Sequence, residues 1–244
     1  MLKKGNSWFT VVLVYEQASA VSWLHAYEGH GYLHRNIKPS CVMLNHDYNA
    51  FLGDFGFSVR GDTKLEQVRG SLRYMDPRMF VKDAVPDKAG DIYSYVMLLY
   101  ELFTEQLPLN VFDENTDRQQ FVHAMRRHKE ELVADMLNHM NVPGLERKKD
   151  AEVLYMLKCI IARGCGLKGT EPLNSEELPG LISDCAFKLF TLPPHLLARY
   201  KKITGNVCCM HSVNHMHVVV SFMVDVCLCF FVCLLDIPIE NSTS

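Results

Sequence analysis

Apolar residues along this chain fall into runs of different period, separated by polar and turn-forming residues. Trp8 to Glu16 (WFTVVLVYE) is a continuous apolar and β-branched run, which predicts one buried strand. Ala18, Val21 and Leu24 then recur at helical spacing, so a helix is expected from Ala18 to Tyr27. Cys41 to Leu44 and Ala50 to Leu52 are short apolar runs joined by Asn45-His46-Asp47-Tyr48-Asn49, the pattern of a β-hairpin. Asp87 to Phe103 is apolar nearly all round behind a cap at Asp87 or Asp91, as expected of a helix at the centre of a domain. Arg118 to Arg127, Lys129 to Leu137, Asp150 to Arg163, Ser175 to Phe190 and His195 to Tyr200 continue as helices. Together these runs predict a mainly α (α+β) fold with one small β-hairpin.

Composition narrows the function classes. A chain of 244 residues can bury a sizeable core in one or two domains. A net charge of -3 gives no sign of a nucleic-acid surface. The longest basic clusters, Arg126-Arg127 and Arg147-Lys148-Lys149, are short and read as solvated helix ends. Nine cysteines, an odd number without CxxC spacing, suit reduced thiols in a cytosolic setting. Leu2 to Asn6 leads into no long apolar run, so no signal peptide is expected.

The chemistry concentrates between Tyr32 and Gly56. His34-Arg35-Asn36-Ile37-Lys38 and Asp54-Phe55-Gly56 stand about one hairpin apart, and the pair resembles the catalytic loop and metal-binding loop of a protein kinase. The resemblance implies ATP and magnesium as cofactors. It also implies an aspartate at position 36, accepting the substrate hydroxyl proton, and an asparagine at 41 holding the second magnesium. This chain has Asn36 and Cys41 there. An amide has no basic site near neutral pH, so general-base help worth roughly 10²- to 10⁴-fold is lost. A soft thiol suits magnesium poorly. Lys38 remains as a cation that can face a phosphate, and Asp54 as a hard anionic ligand.

The wording NIKPSCVMLNHDYNAFLGDFGFSV is similar to plant receptor-like Ser/Thr kinases, and within them to the L-type lectin receptor kinases. The resemblance implies a kinase-like C-terminal lobe over 18–200, preceded by a remnant of the hinge strand over 1–17. The N-lobe is expected to be absent, since the only glycine before residue 29 is Gly5 and no strand-borne lysine is found. Residues 57–78 correspond to the activation segment, with Ser71 in its substrate-facing part and Arg78 where the family has glutamate. A reversed ion pair between Arg78 and Glu171 is expected there, because an unpartnered buried charge is costly. By the same resemblance Asp91 holds the catalytic-loop backbone, His34 packs, Arg35 anchors the loop, and Val96 replaces a glycine.

From Thr204 the character changes, and 201–244 reads as a Cys/His-rich linker and hydrophobic tail. Cys208, Cys209, His211, His215 and His217 fit no standard zinc spacing. Val218 to Leu235 is apolar except for Ser221 and Asp225, and eighteen helical residues span about 27 Å, enough for a bilayer core. A membrane anchor on a cytoplasmic protein, a hydrophobic strand pair and an unselected tail are the alternatives. Asn241-Ser242-Thr243 is a weak glycosylation motif. Three functions follow from the resemblance. They are a truncated pseudokinase that binds intact receptor kinases or their protein substrates, an active Ser/Thr kinase, and a gene fragment without a role.

Overall fold

The computed structural model describes residues 7–29, 31–46, 49–61, 63, 70–81, 83–113, 115–145 and 150–189. They lie within one unit, Met1–Leu189; a second unit, Phe190–Ser244, is outside the described residues. So are the expected helix at 195–200, the Cys/His cluster at 208–217, the apolar run 218–235 and the Asn241 motif.

The first element corrects the expectation from sequence. Ser7–Ala26 is one continuous helix, α1, where a strand followed by a helix was expected, so Leu13 to Glu16 lies within a helix and not in a hinge strand. A fully apolar run carries no period, so its neighbours decide its conformation. A lone strand would leave its N–H and C=O groups unpaired in the interior, and among the described residues no other strand pairs with this run. A helix satisfies those groups within itself. Val11, Leu13, Val14, Ala18 and Val21 are all at most 3% exposed, and the Tyr95 hydroxyl donates to the Val14 carbonyl at 3.0 Å. Gln17 is also fully buried, and neither its amide nitrogen nor its oxygen has a partner among the described residues. That costs roughly 1–3 kcal/mol. The chain leaves α1 through a turn closed by Gly31, whose N–H donates to the Tyr27 carbonyl at 2.8 Å. Gly31 has φ +68, and a Cβ there would collide with the His25 backbone.

Four short strands follow. Tyr32–Leu33 (β1) pairs antiparallel with Val59–Arg60 (β4), and between them Val42–Leu44 (β2) pairs with Ala50–Leu52 (β3), with Met43 opposite Phe51. The expected hairpin is therefore present. The Glu16 carboxylate of α1 accepts from the Ala50 N–H, tying the hairpin to the first helix.

The centre of the fold is α2, Lys88–Thr104. Asp87 caps it by accepting from the Gly90 N–H at 2.9 Å, and Glu105 ends it in a left-handed conformation. Every residue from Asp91 to Tyr100 is buried, which explains a helix apolar on all sides. It packs against α1 and against α4, Ala151–Gly164, while α5, Leu178–Leu189, packs on α1 and α4. Val96 fits against Gly164 of α4, where a Cβ would stand 2.9 Å from Val96 Cγ2 and closer still to Cγ1.

The two helices expected over Arg118–Leu137 form one helix, α3, Arg118–Asn138, kinked at His128 (φ -126, ψ 23). Asp117 caps it through the Gln119 and Gln120 N–H groups. The Arg126-Arg127 pair is consequently at mid-helix and not at a helix end. The other basic cluster, at 147–149, is outside the described residues.

Candidate functional site

Asp91, near the start of α2, organises the loop before the hairpin. Its Oδ2 accepts from the His34 N–H at 2.7 Å and its Oδ1 from the Arg35 N–H at 2.7 Å. His25 Nε2 lies 3.0 Å from Oδ2. A carboxylate 1% exposed that receives two backbone donors and an imidazole fixes three chain segments together. Arg35 has φ +69, a left-handed conformation that turns the loop outward, and its guanidinium donates to the Phe57 carbonyl at 2.9 Å.

His34 is fully buried beneath this loop. Its Nδ1 is 3.4 Å from the Asn36 N–H and its Nε2 is 2.9 Å from the Gly53 carbonyl. Those partners assign the neutral tautomer with hydrogen on Nε2. Burial pushes the imidazole below its ordinary value, against the opposing pull of the Gly53 carbonyl, Asp91 and Asp54. The Phe55 ring meets it edge-on at 5.0 Å.

The residues around Asn36 converge on Asp54. Asp54 is exposed, in a left-handed conformation (φ 62, ψ 58), and its Oδ2 accepts from the Asn36 amide at 3.1 Å. Cys41 Sγ lies 3.6 Å from the same oxygen and 3.1 Å from the Asn36 carbonyl. Burial raises the Cys41 thiol first, and the Asp54 charge raises it further, so it stays protonated at neutral pH. On the other side, Lys38 Nζ donates to the Ser71 hydroxyl at 3.0 Å, and that hydroxyl is 3.3 Å from Asn36 Oδ1. Asn36, Lys38, Cys41, Asp54 and Ser71 thus form one connected polar cluster.

Protein kinase domains use ATP and magnesium, and the cluster can be tested for them. A magnesium ion asks for hard oxygen donors in near-octahedral array. Here one carboxylate already receives an amide on Oδ2, and its neighbour is a protonated thiol. This donor set does not fit the ion. Among the described residues no group of three or more His, Cys, Asp or Glu side chains could hold a metal.

The stretch Gly70 to Arg78 departs from expectation in one respect. The Arg78 guanidinium does not pair with Glu171; Nε donates to Asp76 at 2.8 Å, and Nη1 and Nη2 donate to Asp87 at 2.8 and 3.0 Å. Two nearby carboxylates satisfy the arginine locally, which removes the need for a distant partner. The Glu171 carbonyl instead accepts from Arg163. Two further residues, His25 beside Asp91 and Arg73, carry no motif that singles them out in the sequence. Arg73 donates to the carbonyls of Pro108, Leu109 and Phe112 at 2.7, 2.8 and 2.9 Å, pinning the segment to the loop after α2. The Tyr74 hydroxyl adds a bond to Glu101.

Comparison with known proteins gives a consistent picture. The family description "Protein kinase domain" matches residues 9–188. The chain is 32% identical over 167 residues to Wall-associated receptor kinase-like 5 of Arabidopsis thaliana, covering 66% of this chain and 22% of that protein. It is 32% identical over 140 residues to Calmodulin-binding receptor-like cytoplasmic kinase 1 of the same plant, covering 55% and 29%. Against Nodulation receptor kinase of Pisum sativum the identity is 32% over 99 residues, covering 38% and 11%. The chain spans less than a third of the length of each of these relatives.

Proposed function

Because the chain belongs to the protein kinase family, we propose that it is a kinase-like protein that works by binding, without transferring phosphate. The observation that carries this reading is the Asn36 amide donating to Asp54 at 3.1 Å. The side chain in the proton-acceptor position is a donor, and it spends its hydrogen on the carboxylate that a magnesium ion would need. Nucleotide and magnesium then bind weakly, through Lys38 and Asp54 at most. What remains is a helical scaffold with an ordered loop, suited to docking on intact receptor kinases or their protein substrates. The resemblance to the L-type lectin receptor kinases, the reading of 18–200 as a C-terminal lobe and the anchor at 218–235 belong to this same proposal.

An autophosphorylation and substrate-phosphorylation assay on the full chain with radiolabelled ATP tests it. Wild type and Asp54→Ala are expected to give the same background signal. Turnover in wild type that Asp54→Ala abolishes would establish the competing reading, a working Ser/Thr kinase.

A further inference from the structure

The molecule has a groove that the kinase-like site does not use. It has a volume of about 760 Å³ and lies between the turn Met79–Val81 and one face of α3. Arg118, Val122 and Arg126 stand at i, i+4 and i+8 along that helix, and Gln119, His123 and Arg127 form the adjacent row, so both rows share a face. The opposite face of α3 is spent on the core, where Phe121 meets Phe80 at 6.3 Å and Phe112 at 4.8 Å between ring centroids. That packing fixes the arginine face outward and sets an apolar floor of Met79, Phe80 and Val122 beneath it.

The charge of the groove is one-sided. Among the described residues no Asp or Glu lines it, and Arg118, Arg126 and Arg127 are exposed with no ion pair. The nearest acid in sequence, Asp117, is occupied in capping α3. Three guanidiniums over an apolar floor give this face an excess of positive charge, the neighbouring Glu130 and Glu131 being engaged by the Lys168 N–H and by His128.

We propose that this groove docks an acidic peptide segment of a partner protein, with carboxylates on the arginines and an apolar side chain on the floor between them. Its volume falls within the range of concave ligand sites, about 300–1,000 Å³. A base reader of duplex DNA would instead present a protruding element to enter the major groove, and a single-strand binder would line its groove with stacking aromatics, of which Phe80 is the one among the described lining residues. The site shares no lining residue with the Asn36, Lys38, Cys41, Asp54 and Ser71 cluster, so the inference stands whether or not that cluster transfers phosphate.

The test is fluorescence polarisation on the full chain with a labelled heptapeptide of alternating glutamate and leucine, and with its glutamine counterpart. The glutamate peptide is expected to bind, the glutamine peptide at least about tenfold more weakly. Arg126→Glu/Arg127→Glu is expected to weaken the glutamate peptide by about tenfold or more, while Lys168→Glu, an exposed cation outside the groove, changes it less than about twofold. All these side chains are exposed, and an unchanged circular-dichroism spectrum confirms the fold of each variant. Absence of glutamate-peptide binding, equal binding of both peptides, or indifference to the arginine reversal overturns the proposal. So does tighter, arginine-dependent binding of a DNA duplex or of phosphatidylserine vesicles.

Discussion

His34 sits between hydrogen-bond partners of opposite kind, the Asn36 N–H and the Gly53 carbonyl, and only a neutral imidazole serves both. Protonation would set an N–H against an N–H in a buried site. Its folded value is lowered, so the unfolded chain takes up the proton first as pH falls. The stability that depends on neutral His34 is complete above the unfolded value, about 6.5, and is lost as pH falls from there through the lower folded value. Glu16 and Glu101 act with the opposite sign. Burial raises both carboxyls, so their contribution is present in acid and is lost as pH rises through their folded values. Comparison with His34→Gln, which keeps a donor for Gly53, separates the two. Urea denaturation at pH 7.5 and 5.5 is expected to show a larger loss of stability in acid for wild type than for the variant. Equal losses would mean that His34 is not the titrating group.

At the scale of elements, Val96 on α2 and Gly164 at the end of α4 form a complementary pair, the larger residue on one helix facing the smallest on the other. Val96 is fully buried and a Cβ at Gly164 would press on it, so Gly164→Ala is expected to cost about 1–3 kcal/mol by overpacking. Val96→Ala leaves space for the new methyl. The double variant is therefore expected to recover part of that loss, with a coupling of roughly 0.5–3 kcal/mol in a denaturation cycle. Additive losses would show that the two helices shift independently. Elements such as α2 and the β2–β3 hairpin were legible because their caps and periods are local: Asp87 and the alternation of short apolar runs sit in the sequence beside what they control. The Ser7–Ala26 helix was not, because nothing in WFTVVLVYE distinguishes a buried strand from a buried helix until its neighbours are known. The Asp91 contacts to the loop could be expected from a motif, whereas His25, 66 positions away in sequence, joins them only through folding. The local pairing of Arg78 is hidden for the same reason, since Asp76 and Asp87 come within reach of one guanidinium only when the turn at Pro77–Phe80 forms.

For the whole molecule, the question is whether the polar cluster around Asp54 couples a ligand to global stability. A ligand that binds only the folded state stabilises it by about 2.7 kcal/mol at one hundred times its dissociation constant. In a domain of this size that moves the midpoint by roughly 5–10 °C. Asp54 Oδ2 is engaged by the Asn36 amide, and the Cys41 thiol beside it stays protonated. Binding a magnesium–nucleotide complex there must therefore break an existing hydrogen bond and leaves the ion a donor set it does not favour. Millimolar ATP with magnesium is expected to shift the melting midpoint by less than about 1 °C, and no more than ATP with a chelator. Asn36→Asp/Cys41→Asn restores a second carboxylate and an amide oxygen around Asp54, at the cost of carboxylate repulsion that a bound cation relieves. In that variant the magnesium-dependent shift is expected to rise to several degrees, while without magnesium the variant melts below wild type. A large magnesium-dependent shift in wild type, abolished by Asp54→Ala, would show instead that the Asn36 amide yields to the ion and that the cluster is a working nucleotide site.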